Sequence, residues 1–392
     1  MVQNSRLFGS IFIVAGTSIG ASMLVLPIAA SSLGAIVSIS LLIIMWMLGY
    51  YSATLVLDAH IFYKESYSVP DLCKKTFNNK TWLIADFSIF ILFYSLLSGY
   101  LSAIFSMAES ICIFDYAGLV IASLLIFLVI YSPKVLDMSN RIIFFSKFVF
   151  FGILLYFLSY KVEIVNLKTF AKSYTSSSLL LEAIPLFFTS FGFHGSIPFI
   201  SKYLSCDYKL VKKSFFYGST ISLLVYMLWI IACLGVLPST GINSFESINN
   251  NQNKLCNFIS LLTKVTENKF LYDIVSIFNW LAIVTSFLGV GVGLYDYVFC
   301  KLKFFRNGIL ENRILAVIIT FIPPIILSIF YINIFMSALA FAAISLSLIA
   351  ALMPALISFK IGNRNRFVVT MVFLGSVVII FTEIFNLLFS IK

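Results

Sequence analysis

Apolar residues run through this chain in long stretches, and short polar segments separate them. The pattern is neither the alternation of a half-buried strand nor the single apolar stripe of a water-soluble helix. A helix that crosses a bilayer needs about 20 mostly apolar residues. With that ruler the chain divides into eleven spans, at about 7–30, 34–58, 82–109, 117–132, 142–160, 180–203, 214–238, 273–300, 314–332, 334–358 and 367–390. The fourth is the shortest and the ninth and tenth nearly touch, so ten or twelve spans stay open. Transmembrane strands need only ~9–11 alternating residues. The expected fold class is therefore an all-α integral membrane protein of about 11 transmembrane helices, and residues 1–392 read as one transmembrane domain.

Composition sharpens this. Of the 392 residues 61% are hydrophobic and 11% charged, with a mean hydropathy of +1.04. A soluble domain carries about a quarter charged residues, so too little polar surface is available to coat one. The net charge of +10 forms no basic face with interleaved aromatics, which argues against nucleic acid as a partner. The basic residues cluster between spans instead. With the N-terminus in the cytoplasm, 19 Lys and Arg fall on that side and 7 on the other, and an odd number of spans then places the C-terminus outside. The six cysteines show no metal-type spacing, so no metal site is expected. No cofactor is implied either: the phosphate loop G-x-x-x-x-G-K-[ST] does not occur. The N-terminal stretch reads as the first span and not as a removed signal. The long polar loop at 239–272 holds a helix-like segment at 255–265 too short to cross, and the loop after span 2 suggests another short helix.

Two spans are interrupted. Span 1 carries "GTSIG" at its centre, Gly16 to Gly20, with Pro27 seven residues on. Span 6 carries "SFGFHGSIP", with Gly192, His194, Gly195, Ser196 and Pro198. Glycine weakens a helix and proline removes a backbone donor. In hydrocarbon a freed backbone group costs several kcal/mol, so unwound backbone is tolerated only against protein, water or a ligand. One such break also fits a kinked helix packing through small residues. Two breaks separated by four intact spans fit inverted repeats, 7–160 and 180–358, with 367–390 as an added helix. Discontinuous helices at matching positions point to a transport site near the midplane.

The segments "FIVAGTSIGASMLVLPIAA", "IPLFFTSFGFHGSIPFI", "VTSFLGVGVGLYDY" and "FIPPIILSIFY", in this order, resemble the signature segments of the hydroxy/aromatic amino acid permease family. The resemblance covers most of the chain. It implies the amino acid–polyamine–organocation superfamily, a LeuT-like five-plus-five core with an eleventh helix, and proton-driven uptake of an aromatic amino acid. Two positions depart from the family pattern, Ser22 for a usual glycine and Ile332 for a usual proline. Neither touches a central break.

The resemblance also implies that the two breaks clasp the substrate's amino and carboxylate groups. Within them Gly16, Thr17, Ser18, Ile19, Gly20 and Ala21 form one lip and Ser190, Phe191, Gly192 and Phe193 the other. Backbone N–H groups around Ile19 to Ala21 suit the carboxylate, at the positive end of a half-helix. Carbonyls of Phe191 to Phe193 and the hydroxyls of Thr17 and Ser190 suit the ammonium. Tyr94 joins Phe191 and Phe193 as a candidate wall for the aromatic ring. His194 is the ionisable residue at mid-span, either a neutral peg for the unwound turn or a proton carrier. Thr285 and Ser286 in span 8 form a candidate cation or coupling site. Asp296, Glu182 and Glu383 are weaker candidates near span ends, and His60 reads as a surface residue.

Protons, an aromatic amino acid and the lipid bilayer are thus the expected partners, and the oligomeric state is not read from the sequence. A membrane enzyme would need convergent acids or a histidine pair at membrane depth. A channel or receptor built on the same broken helices is the rival of a different class.

Overall fold

The computed structural model describes all residues except 1, 78–79, 112–116, 132, 174–176, 252, 266–268, 304–308, 332–333, 363–364 and 390–392. Its regular elements are helices: α1 (Val2–Ser18), α2 (Ser22–Ser31), α3 (Ala35–Tyr63), α4 (Val69–Phe77), α5 (Thr81–Ile111), α6 (Ala117–Tyr131), α7 (Pro133–Ser159), α8 (Ile164–Ser173) and α9 (Ser177–Thr189). They continue as α10 (Ile197–Tyr203), α11 (Tyr208–Val236), α12 (Phe245–Asn249), α13 (Lys254–Val265), α14 (Lys269–Lys303), α15 (Ile309–Phe330), α16 (Phe335–Ser347), α17 (Met353–Ile361) and α18 (Arg366–Phe389). Among the described residues no strand occurs. That follows from the apolar sequence, because in hydrocarbon a helix satisfies its own backbone.

Among the described residues, eight stretches are long and apolar enough to cross a membrane, and a bent pair made of Arg6–Ser18 and Ser22–Ser31 adds a ninth. Two shorter apolar helices, Ala117–Phe127 and Phe145–Ser159, lie within the expected fourth and fifth spans. Both expected short helices form, as α4 and α13. Span 10 is not α-helical throughout. Between α16 and α17 the residues Leu348–Leu352 form a π-helical turn, and Pro354 follows it at the start of α17. Proline has no N–H to donate to the turn before it, which favours such a local widening. Gly362 ends α17 at φ 76, a left-handed cap that suits glycine because it has no Cβ.

The chain forms two compact units. The first comprises Met1–Leu92, Tyr174–Trp229 and Ala340–Lys392. Its core gathers Val14 of α1, Val56 and Leu57 of α3, Leu72 and Cys73 of α4, Phe193 and Ile200 around α10, Phe215 of α11 and Ile357 of α17. Burial pushes the Cys73 thiol up to about 12, so it packs as an inert apolar group. The second unit comprises Phe93–Ser173 and Ile230–Leu339. Within it α14 packs along α7 and α15, and Phe151 stacks on Phe278 at 5.5 Å. Large apolar side chains point outward along both, with Ile36 74%, Phe87 66%, Phe330 77% and Phe381 65% exposed. Such a surface is a liability in water and the proper coat in lipid.

Candidate functional site

Span 1 breaks where its glycines predicted. Helix α1 ends at Ser18 and α2 begins at Ser22, with a bend of 55° between the two arms. The Ile19 amide still closes the last α-turn on the Ala15 carbonyl at 2.8 Å. The amides of Met23 and Leu24 turn back in tight bonds to the Gly20 and Ala21 carbonyls, at 3.2 and 3.1 Å. Ala21, at the cap position of α2, carries only a methyl group and makes no side-chain cap, and Ile19, Ala21 and Met23 are all buried. The N-terminal end of a half-helix thus sits inside the protein, where its dipole favours negative charge.

Span 6 breaks at Ser190–Phe193, between α9 and a single 3₁₀ turn, His194–Ser196, that leads into α10. The residues of the break fold on themselves: the Phe191 amide donates to Phe188 at 3.0 Å and the Gly192 amide to Thr189 at 3.2 Å. A Cβ at Gly192 would stand 3.1 Å from the Thr189 carbonyl and 3.4 Å from Leu346, so the tight turn leaves little room for a side chain.

A single side chain of α11 joins the two breaks. The Tyr226 phenol lies 2.6 Å from the Ser18 carbonyl and 2.7 Å from the Ser190 carbonyl, and it is fully buried. Its ring meets Phe191 edge-on at 5.4 Å. One helical turn further, the Trp229 indole donates to the Met23 carbonyl at 2.9 Å. Helix α11 therefore braces span 1 on both sides of its bend.

His194 is anchored from another direction. Its Nε2 lies 2.6 Å from the Ser52 hydroxyl of α3, and that hydroxyl lies 3.1 Å from the Gly49 carbonyl. The hydroxyl has one proton for two acceptors, the Gly49 carbonyl and the imidazole, so which of the pair donates follows the ring's tautomer. The ring stacks on Phe193 at 4.9 Å and is 5% exposed. Ser52→Ala removes this hydrogen-bond partner from a buried ring nitrogen, at a cost of roughly 1–3 kcal/mol. A lower melting temperature in detergent is the expected reading, and a melt equal to that of the parent protein would contradict this anchoring.

The structure brings Gly16, Thr17, Ser18, Ile19, Gly20 and Ala21 into one neighbourhood with Ser190, Phe191, Gly192, Phe193 and His194. The hydroxyls named from the sequence turn to their own helices. Thr17 donates to Ile13 at 2.8 Å, Ser18 to Val14 at 3.1 Å and Ser190 to Leu186 at 3.0 Å. Tyr94, Thr285 and Ser286 belong to the second unit. There the Tyr94 phenol donates to the Ile319 carbonyl at 2.6 Å, Thr285 to Leu281 at 2.8 Å and Ser286 to Ala282 at 2.9 Å. Ile332, a departure from the family pattern, lies outside the described residues.

The surroundings of three side chains escaped the sequence reading. Tyr226 and Ser52 reach the breaks across 208 and 142 residues of chain, and no local pattern marks them. Lys147, counted from the sequence as a cytoplasmic-side anchor, lies inside α7 and is 2% exposed. A lysine buried this completely is rare. His60, read as a surface residue, is fully buried, 3.1 Å from the Ser201 hydroxyl and 2.8 Å from the Tyr67 carbonyl. Its role is to tie α3 to α10 and to the following loop.

Comparison with known proteins finds relatives over nearly the whole chain. The profile of the tryptophan/tyrosine permease family matches residues 3–391. The tyrosine-specific transport system 1 of Haemophilus influenzae is 29% identical, over 98% of this chain and 96% of its own length. The tryptophan-specific transport protein of the same organism is 32% identical, over 93% and 89%. Among solved structures, a histidine-to-alanine mutant of the manganese transporter of Eremococcus coleocola superposes with a TM-score of 0.59 over 96% of this chain and 85% of its own, at 14% identity. That last likeness is one of fold, the LeuT-like helical fold that the resemblance implied.

Proposed function

The chain belongs to the tryptophan/tyrosine permease family, and from that premise we propose that it is a secondary transporter importing an aromatic amino acid, tyrosine first, together with protons. Membership makes it a multi-pass membrane transport protein and not an enzyme. The observation that carries the finer reading is the convergence of both broken helices on the Tyr226 phenol. Two breaks of opposite polarity at one place offer what a zwitterion needs, amide donors at one helix start and carbonyl acceptors at two helix ends.

The start of α2, around Gly20 and Ala21, takes the carboxylate, since the Ile19 amide is already spent on the Ala15 carbonyl. Carbonyls of Phe191 to Phe193 take the ammonium, with Thr17 and Ser190 as hydroxyl acceptors, since each hydroxyl keeps lone pairs after donating to its own helix. Phe191 and Phe193 are the aromatic candidates for the substrate ring within the first unit. The site faces each side of the membrane in turn, and His194, Thr285 and Ser286 are the candidates for coupling that movement to protons. The bond between His194 and Ser52 favours an anchoring role over proton carriage.

A competition assay in energised bacterial membrane vesicles tests this. Labelled tyrosine is expected to accumulate beyond equilibrium, to be released by an uncoupler, and to be displaced more weakly by tryptophan and phenylalanine. Uptake that never exceeds equilibrium would overturn coupled import and favour a channel. The higher identity to a tryptophan-specific relative favours tryptophan as the second reading, and stronger displacement by tryptophan would establish it.

A further inference from the structure

The Ser18 carbonyl is the last of α1, and the Ser190 carbonyl follows directly on the last residue of α9. Each helix end carries about half a negative elementary charge on its terminal carbonyls. Two such ends aimed at one point repel each other and create a position that attracts a cation. The oxygens do converge on one point, 2.6 and 2.7 Å from a single atom. That atom is the neutral phenol oxygen of Tyr226, which has one hydrogen to share between two acceptors. The serine hydroxyls do not relieve the carbonyls, because both donate back to their own helices at 3.1 and 3.0 Å. The ring is held from several sides. It is fully buried, edge-on to Phe191, and one turn from Trp229, which is itself fixed to Met23.

We infer that Tyr226 is a positioning residue whose phenol takes the place of a bound monovalent cation, holding the Ser18 and Ser190 carbonyls together so that the paired breaks are assembled without sodium. The proposal deepens the reading of the breaks as a substrate site and rests on it for its effect on transport. Its effect on the substrate-free protein stands apart from that reading.

The test therefore starts without substrate. Purified parent protein and Tyr226→Phe are melted in detergent with sodium, lithium, potassium or choline chloride at equal ionic strength. The parent is expected to melt at the same temperature in all four. Tyr226→Phe is expected to melt lower in choline by roughly 2–4 °C, the shift that one hydrogen bond's worth of stability produces in a large domain, and to recover part of it in sodium. A parent stabilised by sodium, or a variant that melts like the parent or shows no response to any alkali cation, overturns the proposal. Should the variant fail to fold, the sodium response of the parent still decides. In vesicles the KM for tyrosine is expected to be the same in sodium and choline for the parent. In Tyr226→Phe it is expected to rise about tenfold in choline, with a smaller change in maximal rate, since the loss falls on site assembly. An unchanged KM overturns the positioning role. A parent that takes up no aromatic amino acid overturns the functional reading instead, and leaves the melting result to judge Tyr226.

Discussion

Trp229→Ala is expected to destabilise the folded protein by about 3–5 kcal/mol, the range for deleting a buried aromatic ring. The indole is 1% exposed and sits one turn past Tyr226 on α11, with its N–H on the Met23 carbonyl at 2.9 Å. That carbonyl has a particular need of it, because the residue four positions on is Pro27, which has no N–H to close the helical turn. Truncation does two things at once. It opens a cavity beside the start of α2, and it strips a buried carbonyl of its donor next to an already interrupted backbone. Trp229→Phe separates the two effects, because phenylalanine keeps most of the apolar volume and lacks the N–H. The loss expected there is about 1–3 kcal/mol. Thermal and denaturant unfolding in detergent reads both, and a Trp229→Ala protein that melts with the parent would show that α11 does not brace span 1.

Gly218→Val is expected to have the next largest effect, acting through the same pair of helices by a different route. A Cβ at Gly218 would lie 2.5 Å from the Val14 Cβ and 2.8 Å from the Ile11 carbonyl oxygen of α1. The end of a long side chain can swing aside, but a backbone oxygen moves only if α1 moves. Overpacking of this kind costs typically about 1–3 kcal/mol and occasionally more. Alanine at this position already meets the clash and valine adds to it, so stability and the yield of monodisperse protein should fall in the order glycine, alanine, valine. Gly289 in α14 serves as the control, since a Cβ there meets nothing within 4 Å. Gly289→Ala is expected to be neutral or stabilising by up to about 1 kcal/mol, the helix-propensity difference. Equal losses at the two positions would mean that close packing is not what Gly218 provides.

The features legible in the sequence were those written in local composition. Apolar runs announce membrane helices because hydrocarbon leaves the backbone no other partner. The breaks were legible for the complementary reason. "GTSIG" and "SFGFHG" put flexible residues where a lipid-facing helix has no use for them, and the chain does unwind at Ile19–Ala21 and Ser190–Phe193. What holds the breaks in register was not legible. Tyr226 is one of 19 tyrosines, and only its contacts with Ser18 and Ser190, 208 and 36 residues away, distinguish it. Lys147 lies near the start of the apolar stretch that begins at Phe145, where the sequence put it, but its burial was not legible. The π turn at Leu348–Leu352 left a single cue, Pro354, which equally suits an ordinary kink.

The make-up of the first unit has a consequence for how the protein is born. Leu48 of α3 lies against Gly375 of α18, within 2.7 Å of where a Cβ would stand. The stretch ending at Leu92 leaves the ribosome roughly 250 residues before the stretch that begins at Ala340 is even started. At about 5–20 residues per second that interval lasts on the order of 10–50 s. Throughout it α3 has been inserted while the partner for its Leu48 face does not yet exist, and lipid or the insertion machinery must cover that surface. The unit closes last what it began first.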